Sequence, residues 1–250
     1  MRIMLVNDDG FRANGIRTMA RALMAAGHQV AICAPDRERS AASHALSVSA
    51  PLTATPFSEN GITGYAIDGT PADCAQLGLY LLENQVDMVV SGINHGPNIG
   101  GACVYSGTVG AAIEAAMRGF PAMAVSLDGY AGQRNFEACA SVALKVLDWA
   151  AWNPLDMGEI YNLNVPDVPY ASIKGVRSAS LSRDFLGRSA YEKLAAPDGS
   201  VSYRARLGEF EPNTDPECDA LLLKEGWATL TPLTWSMASH RPKTLPEIKL

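Results

Sequence analysis

Residues 2–10 read Arg-Ile-Met-Leu-Val-Asn-Asp-Asp-Gly, a short apolar run that ends at two adjacent carboxylates, Asp8 and Asp9. The run is far too short for a signal-peptide core or a membrane span, and it predicts a buried strand over residues 2–7. Two carboxylates directly after a buried strand lose hydration and repel each other, and a bound cation is the simplest compensation. The alternative is a helix-capping turn with a solvated acid. The stretch therefore predicts the first strand of a sheet, with a candidate cation site at its carboxyl end.

Strand-like and helix-like segments alternate beyond this stretch through the first two-thirds of the chain. Such alternation is typical of right-handed βαβ units that build a parallel sheet. Apolar residues recur at helical spacing over residues 14–26, and Thr70-Pro71 is a helix start with a hydroxyl cap followed by proline. The sequence therefore predicts an α/β fold with a doubly wound, mostly parallel sheet. We predict strands at 2–7, 28–34, 86–91, 122–127, 159–164 and 228–233, a hairpin between 46 and 68, a glycine-rich loop over 92–105, and helices at 14–26, 70–84, 108–118 and 134–151.

The pattern changes after residue 166, where proline, glycine and charged residues interrupt it as far as residue 226. We predict one domain over residues 1–250. Its core comprises about residues 1–165 and 227–235, and a β-rich arm over about 166–226 serves oligomerisation.

Charge and cysteine content limit the partners and the compartment. The net charge is −6 and no basic stripe is visible, which argues against binding to a nucleic-acid polymer and favours small ligands. The five cysteines are widely spaced and never form a CxxC pair, so we expect reduced thiols, a cytoplasmic protein and no membrane association.

Three polar loops follow predicted parallel strands, and the carboxyl ends of such strands meet at one edge of a sheet. The loops carry Asp8 and Asp9, Ser40, and Asn94. Carboxylate, hydroxyl and amide oxygens together suit Mg²⁺ or Mn²⁺, and no histidine spacing typical of zinc is present. Taken singly, Ser40 and Asn94 are better explained by ordinary loop hydrogen bonds. Their convergence predicts a site for one divalent cation per subunit.

A second feature is the segment Ser106-Gly107-Thr108, which precedes an alanine-rich helix. Unpaired backbone N–H groups and the positive end of the helix dipole make such a junction an anion site. Plain N-capping by Ser106 or Thr108 explains the same residues. Beside a cation site, the segment predicts a phosphate cradle.

Two further residues are substrate-binding candidates. His44 is placed to contact substrate or to protonate a leaving group, although a lone loop histidine is more often a surface residue. Asn98, in the turn that follows Asn94, is a candidate for contact with the cation or the substrate, and stabilising that turn is the alternative role.

These motifs together resemble the SurE family of survival-protein 5′/3′-nucleotidases. The resemblance implies a Rossmann-like domain with a β-hairpin arm and swapped C-terminal elements, divalent-metal-dependent hydrolysis of nucleoside monophosphates, and assembly as dimers or tetramers. It implies metal ligation by Asp8, Asp9, Ser40 and Asn94. Ala41 stands where the family usually has glycine, which is expected to stiffen the loop that carries Ser40. The matching motifs are LVNDDG (5–10), APDRERS (34–40), AASHALS (41–47), GTPADC (69–74), SGINHGPNIG (91–100), YSGTVGAA (105–112), YNLNVP (161–166) and LTPL (230–233).

The residues and the resemblance lead to one functional hypothesis, in which a metal-bound water hydrolyses nucleoside 5′-monophosphates. Nucleoside 3′-monophosphates are a further possible substrate. Asp8 and Asp9 are the candidates for handling the proton of that water. One alternative is a phosphatase that forms an aspartyl-phosphate, although its two acids are usually two residues apart rather than adjacent. The other alternative is a regulatory module that binds nucleotides without cleaving them.

Overall fold

The computed structural model describes residues 1–129, 134–151, 153–183, 190–195, 200–206 and 215–236. Within these ranges the chain forms a nine-stranded sheet, a separate two-stranded hairpin and flanking helices. The strands are β1 Arg2–Val6, β2 Gln29–Pro35, β3 Ala54–Glu59, β4 Ile62–Ile67, β5 Met88–His95, β6 Ala122–Asp128, β7 Glu159–Pro166, β8 Val176–Ser178, β9 Ala190–Ala195, β10 Val201–Arg206 and β11 Ala228–Thr234. The α-helices are α1 Asn14–Ala25, α2 Pro71–Leu81, α3 Gly107–Met117, α4 Phe136–Ala150 and α5 Asp219–Lys224.

The main sheet has the order β3-β4-β2-β1-β5-β6-β7-β11-β8. The six strands β4, β2, β1, β5, β6 and β7 are mutually parallel. At the two ends of this group, β3 runs antiparallel to β4 and β11 runs antiparallel to β7. The chain proceeds from β1 to β2 on one side, and β5 lies on the other side of β1. The sheet therefore has a topological switch point between β1 and β5, which is where open α/β sheets bind ligands.

Helices cover both faces of the sheet. Helices α1 and α4 pack together on one face and α2 and α3 on the other, and each pair encloses its own apolar core against the strands. Central strand β1 is buried at Ile3, Met4, Leu5 and Val6, so its side chains supply both cores. Burial on both faces explains why the strand reads as a continuous apolar run. The expected α/β, Rossmann-like, mostly parallel fold is confirmed.

Helix α2 begins as its sequence predicts. The Thr70 hydroxyl accepts from the Asp73 N–H at 3.1 Å, and the Asp73 carboxylate accepts from the Thr70 N–H at 2.9 Å. This reciprocal capping box satisfies two N–H groups that would otherwise lack partners, and Pro71 at the first helical position needs no partner.

The prediction that β5 ends at Ser91 is wrong, because the strand continues to His95. Gly92 has φ +134°, and a Cβ there would lie 2.2 Å from the Val125 carbonyl oxygen, so a side chain has no room. Pairing with β6 shifts register after Ser91 and resumes at Asn94. A glycine at a bulge resembles a loop start in sequence, which explains the error.

The segment after residue 166 also differs from the sequence pattern, which indicated no helix there. The structure has helix α5, whose Leu222 and Leu223 are buried, and it pairs β8 with β11 inside the main sheet. Hairpin β9–β10 is antiparallel and separate from the main sheet. The division of the chain into core and oligomerisation arm stays a prediction.

All five cysteines are free thiols, as expected. In the part of the chain that the structure describes, no helix combines the length and hydropathy that crossing a bilayer requires.

Candidate functional site

Asp8 and Asp9 follow β1 at the switch point. The preceding Asn7 is fully buried and shapes the turn, because its side-chain amide donates to the Gly10 carbonyl at 3.0 Å and its side-chain oxygen accepts from the Gly10 N–H at 3.1 Å. Asp8 is 4% exposed. The turn therefore holds both carboxylates at the carboxyl edge of the sheet, close to the amino end of α3.

Asp8 is linked to β5 through helix α3. The Thr108 hydroxyl donates to Asp8 Oδ1 at 2.6 Å and lies 3.3 Å from Asn94 Oδ1. The Asn94 side-chain amide donates to the Gly96 carbonyl at 2.7 Å, which turns its Oδ1 toward Thr108 and Asp8. The structure thus brings together three of the predicted residues, Asp8, Asn94 and Thr108, from three separate elements.

Asp9 faces the end of β5. Its Oδ2 accepts from the His95 N–H at 3.3 Å, and its Oδ1 lies 3.4 Å from His95 Nδ1. The His95 ring packs on Phe136 with the ring centres 5.0 Å apart. Helix α4 therefore supports the histidine that borders Asp9.

Both carboxyls resist ionisation in this position. Burial raises the pKa of Asp8. Burial and, to a smaller degree, the charge of Asp8 raise the pKa of Asp9 to about 7, against the opposing effect of the His95 N–H. A divalent cation would offset both the lost hydration and the mutual repulsion. The donors present, carboxylate and amide oxygens, fit a hard cation such as Mg²⁺ or Mn²⁺.

Ser40, the remaining predicted ligand, lies in the loop after β2. It is exposed and its hydroxyl donates to Glu38 Oε1 at 2.7 Å. The Arg39 N–H donates to the Asp8 carbonyl at 2.7 Å, so the loop is attached one residue before Ser40. Ala41 has φ +59°, a left-handed conformation that is costly for a residue with a Cβ.

The segment that begins α3 has the N-capping role considered for it, while its role as a phosphate cradle stays a prediction. The Ser106 hydroxyl accepts from the Val109 N–H at 3.1 Å, which is N-capping. The Gly107 N–H lies in the first helical turn, where no intrahelical acceptor is available. The Thr108 N–H instead donates to the Asp8 carboxyl and opposes the rise in its pKa. A Cβ on Gly107 would lie 2.9 Å from Asp8 Cβ. The helix start is therefore in direct contact with the first aspartate.

The backbone and the side-chain amide of Asn98 have protein partners. Its side-chain amide donates to the Ser126 hydroxyl at 2.8 Å, its N–H donates to Asn164 Oδ1 at 2.7 Å, and its carbonyl accepts from the Asn162 side-chain amide at 2.8 Å. These contacts anchor the turn to β6 and β7. They favour the structural role for Asn98, while its contact with cation or substrate stays a prediction.

His44 also has a protein partner. Its Nε2 lies 2.9 Å from Oε2 of Glu114, a residue that is 5% exposed on α3, and Arg118 Nε donates to the other oxygen at 2.8 Å. This contact attaches the loop after β2 to α3. It favours a structural role for His44, which is to hold that loop in place. Its role as a substrate contact stays a prediction.

The Glu114 anchor has a testable pH dependence. The hydrogen bond from His44 lowers the pKa of the Glu114 carboxyl below its ordinary value. A depressed pKa contributes stability that is present above about pH 4.3 and is lost as the pH falls through the folded value. We expect Glu114→Gln to lower the free energy of unfolding by about 1–3 kcal/mol at pH 7, and by much less near pH 3. Denaturant unfolding at both pH values measures this.

The control for that experiment is Glu225→Gln, which changes an exposed acid at the end of α5. It should leave stability nearly unchanged at both pH values. Equal destabilisation of the Glu114 variant at pH 3 and pH 7 would contradict the electrostatic origin of the anchor.

Sequence reasoning overlooked three residues near the aspartates. The charge of Glu38 raises the pKa of both Asp8 and Asp9, and the charge of Arg134 lowers the pKa of Asp9. The third is His95. Glu38 lies in the motif around Ser40 and His95 directly follows Asn94, so both could have been found by considering neighbours of the chosen residues. Arg134 precedes α4 and carries no signal in the sequence.

Another possible ligand site is less suitable. A cavity of about 440 Å³, lined by apolar residues such as Met88, Phe120 and Leu147, lies at the amino ends of the parallel strands, opposite the aspartates. Among the described residues, no group of three or more histidine, cysteine, aspartate or glutamate side chains is arranged to hold a metal. A cation at the aspartates would therefore need hydroxyl and amide oxygens to complete its coordination sphere.

Comparison with known proteins places this geometry in context. Residues 3–188 match the family model described as survival protein SurE. A relative named 5′-nucleotidase SurE, from Nitratidesulfovibrio vulgaris (strain Miyazaki F), is 45% identical over 244 residues, which cover 96% of this chain and 89% of the relative. A second relative, named 5′/3′-nucleotidase SurE, from Proteus mirabilis, is 41% identical over 234 residues. These residues cover 93% of this chain and 89% of the relative. The crystal structure of the SurE protein from Aquifex aeolicus superposes with a TM-score of 0.83 at 31% identity, over 96% of each chain.

Proposed function

Because the chain belongs to the SurE family, we propose that it is a 5′-nucleotidase that removes phosphate from nucleoside monophosphates and requires one divalent cation per subunit. The observation that carries the proposal is the adjacent pair of the buried Asp8 and the partly buried Asp9, held beside Asn94 and the first turn of α3. Activity on 3′-monophosphates belongs to the same proposal, and relatives named 5′/3′-nucleotidase support it.

Asp8, Asp9 and Asn94 would hold the cation, with Ser40 joining them from the loop after β2. When bound, the cation polarises the phosphoryl group and lowers the pKa of a coordinated water. Thr108 orients Asp8 through the 2.6 Å hydrogen bond that it donates. The carboxylates offer their oxygens and the amide offers its carbonyl, so each donor carries a full or partial negative charge toward the cation.

The start of α3 supplies the positive end of the helix dipole, which complements the negative charge of the phosphate. The backbone N–H group of Gly107 can donate to a phosphate oxygen, and the helix dipole favours the charge that develops there in the transition state. Asp8 accepts from the Thr108 hydroxyl and Asp9 from the His95 N–H, and both aspartates are candidates for handling the proton of the attacking water. These contacts orient the substrate phosphate between cation and helix.

The proposal extends to assembly and compartment. We take the protein to act in the cytoplasm as a homodimer or homotetramer, on small nucleotides and without a nucleic-acid polymer as partner. Five free cysteines and the acidic net charge support a reducing compartment and small-molecule substrates.

Phosphate release from adenosine 5′-monophosphate tests the function. We expect release with Mn²⁺ or Mg²⁺, its loss on addition of EDTA, and its recovery when excess cation is restored. Nucleotide binding without phosphate release at any cation concentration would instead indicate the regulatory module. Trapping of a phosphoenzyme with labelled substrate would indicate an aspartyl-phosphate mechanism.

A further inference from the structure

Tyr105 is an exposed aromatic residue at the rim of the candidate phosphate cradle. The 3₁₀ turn Gly100–Val104 ends one residue before it, and Ser106 caps α3 one residue after it. Tyr105 is 53% exposed and Val104 is 67% exposed. Because neighbouring Cα atoms are about 3.8 Å apart, the ring is attached next to the helix start that would bind phosphate.

The backbone that carries Tyr105 is held from both sides. Its N–H donates to the Ala102 carbonyl at 3.0 Å, and its own carbonyl accepts from the Ser43 N–H at 3.1 Å. The Ser43 hydroxyl donates to the Val104 carbonyl at 2.7 Å. The loop after β2 is in turn fastened to α3 by the contact between His44 and Glu114. The two apolar side chains are therefore exposed on a fixed backbone.

An exposed apolar surface beside a polar site indicates a ligand with a charged end and an apolar end. A nucleotide has this construction, with a phosphate and an aromatic base joined by ribose. A tyrosine ring offers a flat apolar face for stacking, while its hydroxyl remains in water.

We propose that Tyr105 is a specificity-determining residue that stacks on the base of the substrate, with Val104 extending the apolar surface. The inference rests on the proposed function, because it takes the phosphate to lie at the start of α3. It adds the reason why a nucleotide would be preferred over a phosphorylated sugar. Stacking accepts any base, so the platform selects for the presence of a base rather than its identity.

The test compares kcat/KM for adenosine 5′-monophosphate and for ribose 5-phosphate, which has the same phosphate and sugar but no base. We expect the wild type to prefer the nucleotide. Tyr105→Ala should reduce that preference roughly 5- to 100-fold, mainly by raising KM for the nucleotide, while Tyr105→Phe should retain most of it. Tyr80→Ala is the matched control, because Tyr80 is 74% exposed near the far end of α2 and should leave the preference unchanged.

Two results would overturn the inference and leave the function standing. One is equal loss of activity by Tyr105→Ala on both substrates, which would show a purely structural role. The other is an unchanged preference in that variant. If the wild type releases phosphate from neither substrate under any divalent cation, the proposed function fails, and the base platform fails with it.

Discussion

Asp9→Asn is expected to lower kcat for adenosine 5′-monophosphate by at least about a thousandfold, even with saturating Mn²⁺. The substitution keeps the shape of the side chain and removes the negative charge that would help to bind the cation. Asp8→Asn should have a similar effect, and it also disturbs the hydrogen bond that Thr108 donates at 2.6 Å. Steady-state kinetics over a Mn²⁺ titration measures both variants.

Stability measurements separate this loss from misfolding. Burial and the neighbouring Asp8 raise the pKa of Asp9 to about 7, so its ionisation destabilises the folded protein when no cation is bound. In the presence of EDTA at pH 8, Asp9→Asn should therefore unfold at the same temperature as the wild type or at a higher one. Added Mn²⁺ should raise the melting temperature of the wild type, and raise that of the variant much less.

The matched control for Asp9→Asn is Asp148→Asn, which changes an exposed aspartate on α4. It should retain wild-type kinetics and the wild-type response to Mn²⁺. Substantial turnover by Asp9→Asn at saturating cation would remove Asp9 from the catalytic site.

Gly107→Ala is expected to reduce kcat/KM about 10- to 100-fold, because displacements of about 1 Å at a reacting centre have effects of this size. The added Cβ would lie 2.9 Å from Asp8 Cβ and 2.8 Å from Pro71 Cγ. The proline ring is rigid and begins α2, so Asp8 or the start of α3 must move. The same overlap strains the folded protein, so the free energy of unfolding should also fall, by about 1–3 kcal/mol, and activity is compared well below the melting temperature of the variant.

A second substitution shows whether steric contact causes the loss. Pro71→Ala removes the ring atom on one side of the added methyl group, so the double variant should recover part of the activity that Gly107→Ala loses. Full activity of Gly107→Ala with an unchanged Mn²⁺ dependence would show that close approach of α3 to Asp8 is not required.

Much of the scaffold follows from local sequence. Residues 2–6 are a continuous apolar run because β1 is buried on both faces, and Thr70 and Pro71 are recognisable as a helix start because capping involves only neighbouring residues. The position of Asp8 and Asp9 at the end of β1 was predictable for the same reason. Short-range periodicity and capping chemistry decide these features, and both are visible in a single sequence.

Contacts between distant segments required the tertiary structure. Asn94 lies on β5 and not in a loop, because pairing with β6 resumes after the bulge. His44 faces Glu114, which lies 70 positions later, and the Asn98 carbonyl accepts from Asn162, which lies 64 positions later. Periodicity says nothing about which partner a loop residue meets once strands and helices have packed.

The sequence by itself determined the class of fold, the adjacent aspartates after the first strand and the start of the helix near Thr108, because each depends on residues close together in the chain. Only the tertiary structure decided that Thr108 joins Asp8 to Asn94, that His95 borders Asp9 and that Tyr105 is exposed beside Ser106. These contacts depend on the order of strands in the sheet and on the close approach of α3 to β1. Both are set by packing over the whole domain.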